Sequence, residues 1–284
     1  MDRTPKSSRL RIGIVSDTIY PWTKGGAEIR YYEVYRRIAR RHKVHWFTMK
    51  YRGMEGKTFN FEGIEVHCVC TGPDTLYRNG RRKLFPALLF ALGILLQMRK
   101  YRFDVIDVNE TPFIPFFAVW LLRLLHSCTT IVSVWHEHWR LQYWQIYLGF
   151  LMGIGGYFIQ QVTSHIPDVL IPVSSTTKKL VTDLTGRKEK NIELVENAVD
   201  CKNIRTLREH VTPIRSRIIT VSRLIPEKRV DRFIALVEKL RKIEPEVQAV
   251  VVGDGPERTQ LEALATGLPI KFLGFLKDHE AVLK

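Results

Sequence analysis

The chain has 284 residues, 45% of them hydrophobic and 11% aromatic, enough to fill the cores of two domains and to exclude a disordered polypeptide. A formal net charge of +15 points to anionic partners such as nucleotides, lipid head groups or nucleic acid, with a merely solvated basic surface as the plain alternative. Cys68, Cys70, Cys128 and Cys201 form no CxxC pair and no zinc or disulfide spacing, and the apolar run after the charged amino terminus is too short for a signal-peptide core, so a reduced, cytoplasmic setting is expected.

Apolar runs predict strands over 11–16, 44–49, 63–69, 104–108, 130–134 and 168–172, alternating with helices predicted over 27–41, 84–99, 113–126, 141–164 and 176–184. The fourth of these helices carries a glycine-rich interruption near 153–156. Pro86 falls near a helix start, where it is tolerated. As a helix, the uncharged run 84–98 would span roughly 22 Å, short of the about 30 Å of a bilayer core. Residues 197–200 read as a turn, followed by a charged connector up to Ser216. A second set follows: a strand over 218–221, a helix from Val230, a strand over 247–252, a helix over 256–265 with Pro256 at its first position, and a strand over 270–275. Asp278 is a candidate cap for a further helix. This order implies an α/β protein with two doubly wound, Rossmann-like parallel-sheet domains, 1–200 and 201–284, the second incomplete.

The candidate site residues lie where strands give way to helices. Arg223 and Lys228 stand between the strand at Ile218 and the helix carrying Val230, Phe233, Ile234, Val237 and Leu240. Two cations at the carboxyl end of a strand, beside a helix amino terminus, seat phosphate oxygens. Gly25 and Gly26 directly precede the first helix, where backbone N–H groups and the helix dipole favour an anion; taken alone they are better explained as a tight turn with no ligand. The loop is neither GxGxxG nor a Walker motif, so dinucleotide redox chemistry and P-loop phosphoryl transfer are not supported. His136, just past a strand end, can hydrogen-bond a sugar hydroxyl or phosphate; with His138 it is alternatively a structural pair or a metal site, although no third ligand follows at helical spacing. Ser174 caps the next helix whether or not its backbone also meets a ligand. Gly253, Asp254 and Gly255 repeat the small-loop logic of Gly25, and the two glycine loops with Arg223 and Lys228 describe a cleft between two sheets.

These segments together resemble the retaining glycosyltransferases of family 4, the group 1 type with the GT-B fold. The resemblance runs through GGAE (25–28), His136, PVSSTTKKL (172–180), ENAVD (196–200), VSRLIPEKRVD (221–231), VVGDGPERTQLEALA (251–265) and FLGFL (272–276). It implies that Arg223 and Lys228 hold the diphosphate of a nucleotide-sugar, that His136 contacts the donor sugar, and that Gly25 and Gly26 lie under the phosphate or the acceptor. Gly253, Asp254 and Gly255 would approach the base, with Ser174 and Asn197 also on the donor side. It further implies no metal, no cofactor beyond a UDP- or GDP-sugar substrate, and no obligatory carboxylate nucleophile. The family's two glutamates separated by seven residues have no convincing counterpart: Glu238 and Glu246 share the spacing, but Glu238 lies on the polar side of a helix. The matching region is expected beyond Lys284, which reads as a shortened transferase with impaired donor binding.

The apolar segments 84–98 and 139–158, the first flanked by Arg81, Arg82, Lys83, Arg99 and Lys100, suit helices resting on anionic lipid at the inner face of a membrane; packing on the sheet is the simpler alternative. The acceptor is expected to be lipid-linked or a polysaccharide. A non-catalytic membrane-surface or binding subunit that keeps the transferase fold is the competing function, and no motif supports nucleic-acid binding.

Overall fold

The computed structural model describes residues 9–78, 81–125, 129–209, 212 and 214–276. The chain divides into two compact units, Met1–Ala198 and Val199–Lys284.

Unit 1 runs β1 (Arg11–Val15), α1 (Gly26–Ile38), β2 (Lys43–Lys50), β3 (Thr58–Phe61), β4 (Ile64–Thr71), the short hairpin β5 (Tyr77–Arg78) and β6 (Arg81–Arg82), α2 (Leu84–Met98), β7 (Val105–Val108), α3 (Pro115–Leu125), β8 (Thr130–Trp135), α4 (Leu141–Leu148), α5 (Phe150–Ser164), β9 (Val169–Pro172) and α6 (Ser175–Thr185). Its seven-stranded sheet has the order β3-β4-β2-β1-β7-β8-β9. Six strands are parallel, and Ile14 of β1 lies between Trp46 of β2 and Asp107 of β7. Both faces of the central strands are covered, which is why β2 is buried along most of its length. On one face, Tyr31 and Tyr35 of α1 pack against Trp46 with ring centroids 6.0 and 6.4 Å apart. On the other, Phe90 and Ile94 of α2 and Phe116 and Val119 of α3 join Phe47, Val108 and Ile131 in one cluster. Each such side chain contributes about 1.5–3 kcal/mol by leaving water.

Unit 2 runs α7 (Cys201–Glu209), β10 (Arg217–Val221), α8 (Val230–Leu240), β11 (Gln248–Val252), α9 (Arg258–Leu264) and β12 (Ile270–Gly274), with the parallel order β10-β11-β12. Val230 and Ile234 of α8 and Leu261 of α9 meet Val251 in its core, whereas Ile219, Val221 and Leu273 stand exposed.

Several sequence expectations are corrected. The first sheet is not purely parallel: β3 pairs antiparallel with β4 through a turn at Glu62 and Gly63, whose φ angles are 49° and 85°. The alternation in Thr58–Phe61 was masked by its short length. The charged connector after 197–200 contains a helix, α7, whose only apolar side chains beyond Cys201 are Ile204 and Leu207, too few to register as a periodic stripe. Helix 141–164 is two helices that part at Gly149 (φ 91°), four residues before the expected interruption. Gly153 and Gly156 serve packing instead: a Cβ on Gly153 would lie 2.6 Å from the Gln145 backbone, and one on Gly156 2.5 Å from the Trp144 ring. Helix α1 ends at Ile38 rather than Arg41, because Lys43 must already donate to the Leu10 carbonyl (2.9 Å) to start β2. Helix α9 begins at Arg258, leaving Pro256 in the preceding turn. Asp278, Cys128 and His126 lie outside the described residues.

The α4–α5 contact yields a paired test. A Cβ on Gly155, one turn-face away from Gly153, meets nothing within 4 Å. Gly153→Ala should destabilise by about 1–3 kcal/mol through overpacking, while Gly155→Ala should stabilise by about 0.5–1 kcal/mol through helix propensity. Thermal melts of the two variants should move in opposite directions; equal shifts would refute the close approach.

Candidate functional site

In unit 1 the strand order reverses between β1 and β7, so their carboxyl ends open a crevice of the kind where α/β sheets hold ligands. Gly25 is the N-cap of α1 in an extended conformation and offers no side-chain cap, so the first turn keeps its N–H groups for another acceptor. A Cβ on Gly25 would fall 2.4 Å from a Glu28 carboxylate oxygen, whereas Gly26 faces open space. One turn further, Arg30 donates to the carbonyls of Val195 (2.9 Å) and Glu196 (2.8 Å) and to Asn197 Oδ1 (2.9 Å), tying the segment after α6 to the start of α1. Asn197 is thus committed to Arg30.

Glu110, directly after β7, is buried and accepts from the backbone N–H of His136 (2.9 Å) and Glu137 (3.4 Å). Burial pushes its carboxyl well above the usual carboxylate range, reinforced by the nearby Glu137 charge and outweighing those two donors. The His136 carbonyl accepts from Thr177 Oγ1 (3.1 Å), and Thr177 is itself the residue whose N–H donates to the capping Ser174 Oγ (3.1 Å). Backbone bonds on both sides therefore fix His136. Its ring is lowered to a pKa of about 4, first by burial and then by the Arg30 charge, and its Nε2 is buried without a partner. His138 points elsewhere: it is buried against Trp135 and lies 3.2 Å from Gln160 Nε2. The two histidines do not converge, and among the described residues no third ligand joins them.

Beneath this rim, Tyr31 and Tyr35 both donate to Asp107, whose carboxyl burial raises to about 6. Beside it, Arg82 pairs with buried Asp17, and the Tyr51 hydroxyl donates to the Asp17 carbonyl (3.0 Å). Arg30, Asp107, Glu110 and Asp17 escaped the sequence reading. The position of Asp17 and Glu110 immediately past strand ends was the available signal.

In unit 2 the ends of three adjacent strands form one rim. Ser222 N–H donates to the Val252 carbonyl (3.0 Å), Leu224 N–H to the Asp254 carbonyl (2.9 Å), and Gly253 N–H to the Gly274 carbonyl (2.9 Å). The loop 253–255 thus lies flat against 222–224. Gly253 has a φ of 133°, and a Cβ there would sit 1.8 Å from the Ser222 carbonyl; one on Gly255 would sit 2.3 Å from that of Leu224. Asp254 is spent locally, accepting from Gly255 N–H (2.8 Å) and pairing with Arg258 (3.3 Å). Arg223 and Lys228 are both exposed, and their side chains make no hydrogen bond or ion pair among the described residues. Lys228 ends the short 3₁₀ turn Pro226–Lys228, and Arg229, left-handed at φ 50°, caps α8 while its guanidinium grips both Asp231 oxygens (2.9 and 2.7 Å). That internal pairing leaves Arg223 and Lys228 as the cations available to a ligand on this stretch.

The structure therefore gathers Gly25, Gly26, His136, Ser174 and Asn197 on the unit 1 rim, and Arg223, Gly253, Asp254 and Gly255 on the unit 2 rim with Lys228 just beyond.

Comparison with known proteins agrees with this architecture. The family model of Glycosyltransferase Family 4 matches residues 24–203, and that of Glycosyl transferases group 1 matches 210–284. A 77-residue stretch is 40% identical to the GDP-mannose-dependent alpha-(1-6)-phosphatidylinositol dimannoside mannosyltransferase of Mycobacterium tuberculosis, covering 27% of this chain and 20% of that protein. One subunit of the phosphatidylinositol N-acetylglucosaminyltransferase of Arabidopsis thaliana is 24% identical over 261 residues, 90% of this chain and 55% of its own length. The chain thus spans little more than half of these relatives at most. The sucrose-phosphate synthase structure from Thermosynechococcus elongatus superposes with a TM-score of 0.71 at 17% identity, over 97% of this chain and 72% of that one, a likeness of fold. With a matching family model across most of its length and the α/β architecture described above, this chain belongs to Glycosyltransferase Family 4 and has the GT-B fold.

Proposed function

We propose that this protein transfers a sugar from a UDP- or GDP-sugar to a lipid acceptor, with retention of configuration. The bond between the anomeric carbon and the phosphate oxygen breaks, the diphosphate leaves with the bonding electrons, and an acceptor hydroxyl oxygen joins the anomeric carbon while its proton passes to the leaving phosphate. Charge grows on that diphosphate, and the unpaired Arg223 and Lys228 at the carboxyl rim of β10 are the observation that carries this reading. Gly253 and Gly255, packed flat beside them, leave backbone accessible to the nucleotide. In unit 1 the first turn of α1 at Gly25 and Gly26, and the neutral ring of His136, whose backbone is held by Glu110 and Thr177, take the sugar and acceptor.

The lipid acceptor is supported by the flank of unit 1. No helix among the described residues is long and apolar enough to cross a membrane. Yet α2 exposes Leu84, Phe85, Leu88, Leu89, Leu92 and Leu96. Trp120 and Leu124 of α3 are exposed as well and line a groove with Val162 and Ile166. Exposed apolar side chains of this kind, on a helix flanked in sequence by Arg81, Arg99 and Lys100, fit an interfacial seat on anionic lipid at the cytoplasmic face of a membrane. The two relatives above are named for phosphatidylinositol-type acceptors, in keeping with that surface.

Arg223→Ala and Lys228→Ala should each weaken UDP or GDP binding, by calorimetric titration, about 10–100-fold, as expected for losing a charged hydrogen bond of about 1.5–3 kcal/mol. Both side chains are exposed, so the fold should survive; unchanged affinity would refute the diphosphate seat. A histidine NMR titration should place the His136 midpoint at about 4, so that the ring stays neutral as pH falls through 6.5; a midpoint near 6.5 would mean an open, solvated ring. The chain should float with phosphatidylinositol-containing liposomes at low salt, and Leu88→Glu with Leu92→Glu should reduce the bound fraction about tenfold or more. Failure of the unaltered chain to float would remove the lipid-surface reading.

A further inference from the structure

At the end of the unit 1 sheet opposite the rim just described, β2 and β4 bring three metal-ligating side chains together. His45 and Glu65 are direct cross-strand partners, and His67 lies two residues along β4 on the same face. His45 Nδ1 is 3.0 Å from His67 Nε2; the Glu65 carboxylate oxygens lie 3.6 Å from the former and 3.4 Å from the latter. An aromatic box encloses the pair: Phe47 stacks on His67 at 4.7 Å, Tyr101 lies 5.2 Å from both imidazoles, and Phe103 lies 5.5 Å from His45. Both imidazole side chains are almost wholly buried, while that of Glu65 keeps 35% of its exposure and opens the cluster to solvent.

A shared proton between the imidazoles joins two of these groups and leaves the third facing them without a hydrogen bond from either. One nitrogen donates and the other accepts, so the Glu65 carboxylate receives no hydrogen bond from either ring, although it faces both nitrogens. Lys43, 3.8 Å from Glu65, is half exposed and offers the carboxylate only a long, solvated contact. A divalent cation would engage His45 Nδ1, His67 Nε2 and the Glu65 carboxylate together, and it leaves the buried His45 Nε2 without a partner among the described residues. Ligand atoms around a tetrahedral zinc ion stand ~3.3–3.5 Å apart, given bonds of about 2.0–2.2 Å, and the three separations here bracket that value. The rings now point nearly head to head, with centroids 5.3 Å apart, so binding asks each to turn off that line toward Glu65.

We propose that His45, Glu65 and His67 bind one divalent transition-metal ion of the zinc class, which clips β2 to β4 at the amino end of the sheet. Two imidazoles and one carboxylate are a donor set for zinc and its neighbours rather than for calcium or magnesium. Water reaches the fourth position past Glu65. The ion is structural: it lies at the other end of β2 from the rim that holds Gly25 and His136, and donor binding proceeds without it.

The test uses the full chain stripped with a chelator. Zinc titration should show one tight equivalent, cobalt should give the visible absorption of a tetrahedral site, and zinc at about 100 times its dissociation constant should raise the melting temperature by about 5–10 °C. Glu65→Gln, on a partly exposed side chain, and His67→Gln should each weaken binding about tenfold or more. UDP or GDP affinity should be the same with and without zinc, which separates this site from the diphosphate seat. The chain has nine histidines, so adventitious binding is the alternative to exclude. Equal zinc affinity in folded Glu65→Gln, no tight equivalent in the unaltered chain, or His45 and His67 side-chain nitrogen resonances that ignore zinc would each overturn the proposal; should His67→Gln fail to fold, Glu65→Gln and the resonances decide it.

Discussion

Parallel strands joined by right-handed helical crossovers must all end on the same edge of their sheet, and most of this protein follows from that constraint. In unit 1 the carboxyl edge collects the loops after β1, β7, β8 and β9, and with them Asp17, Glu110, His136 and Ser174. Polar groups crowded there sit at the mouth of an apolar core, so they are buried and must satisfy one another. Asp107 takes two tyrosine hydroxyls, Asp17 takes Arg82, and Glu110 takes two backbone N–H groups. Glu110, with Thr177 on the His136 carbonyl, holds the backbone of the His136 loop in place.

Unit 2 solves the related problem with glycine. Loop 253–255 approaches 222–224 so closely that a Cβ at Gly253 or Gly255 would strike a carbonyl oxygen. The demand for glycine therefore comes first from the neighbouring loop, and any benefit to a nucleotide rides on the same close packing. With the backbones locked together and Arg229 absorbed by Asp231, Arg223 and Lys228 are left projecting without internal partners. Local strain at Arg229, left-handed in a non-glycine residue, belongs to this arrangement.

Strong periodicity was legible and weak periodicity was not. Helices α1, α2, α3 and α8 carry stripes long enough to be read directly, and the buried runs of β1, β2 and β11 are bounded by charge or glycine on both sides. Strand β3 is four residues long and α7 has two apolar positions besides its cysteine, so neither rises above background. The break in the α4–α5 segment was placed at the glycines nearest its centre, but Gly153 and Gly156 are needed where the two helices touch, and the turn fell to Gly149. At the candidate site, residues in loops after strands could be named because their neighbours mark the loop. Arg30, Asp107 and the trio His45, Glu65 and His67 lie inside regular elements, where nothing local distinguishes a partnered polar side chain from a solvated one.

The amino-acid sequence by itself determined the α/β class, the order of the strongly periodic strands and helices, the family resemblance and the loops that carry Gly25, His136, Arg223 and Gly253, because all of these depend on local periodicity and short-range spacing. Only the tertiary structure decided which cations remain unpaired, which carboxyls are buried, and which histidines meet. Those properties arise from contacts between residues far apart in the chain, such as Arg30 with Asn197 or Glu110 with His136, and burial and pairing have no meaning until the sheet has brought such residues together.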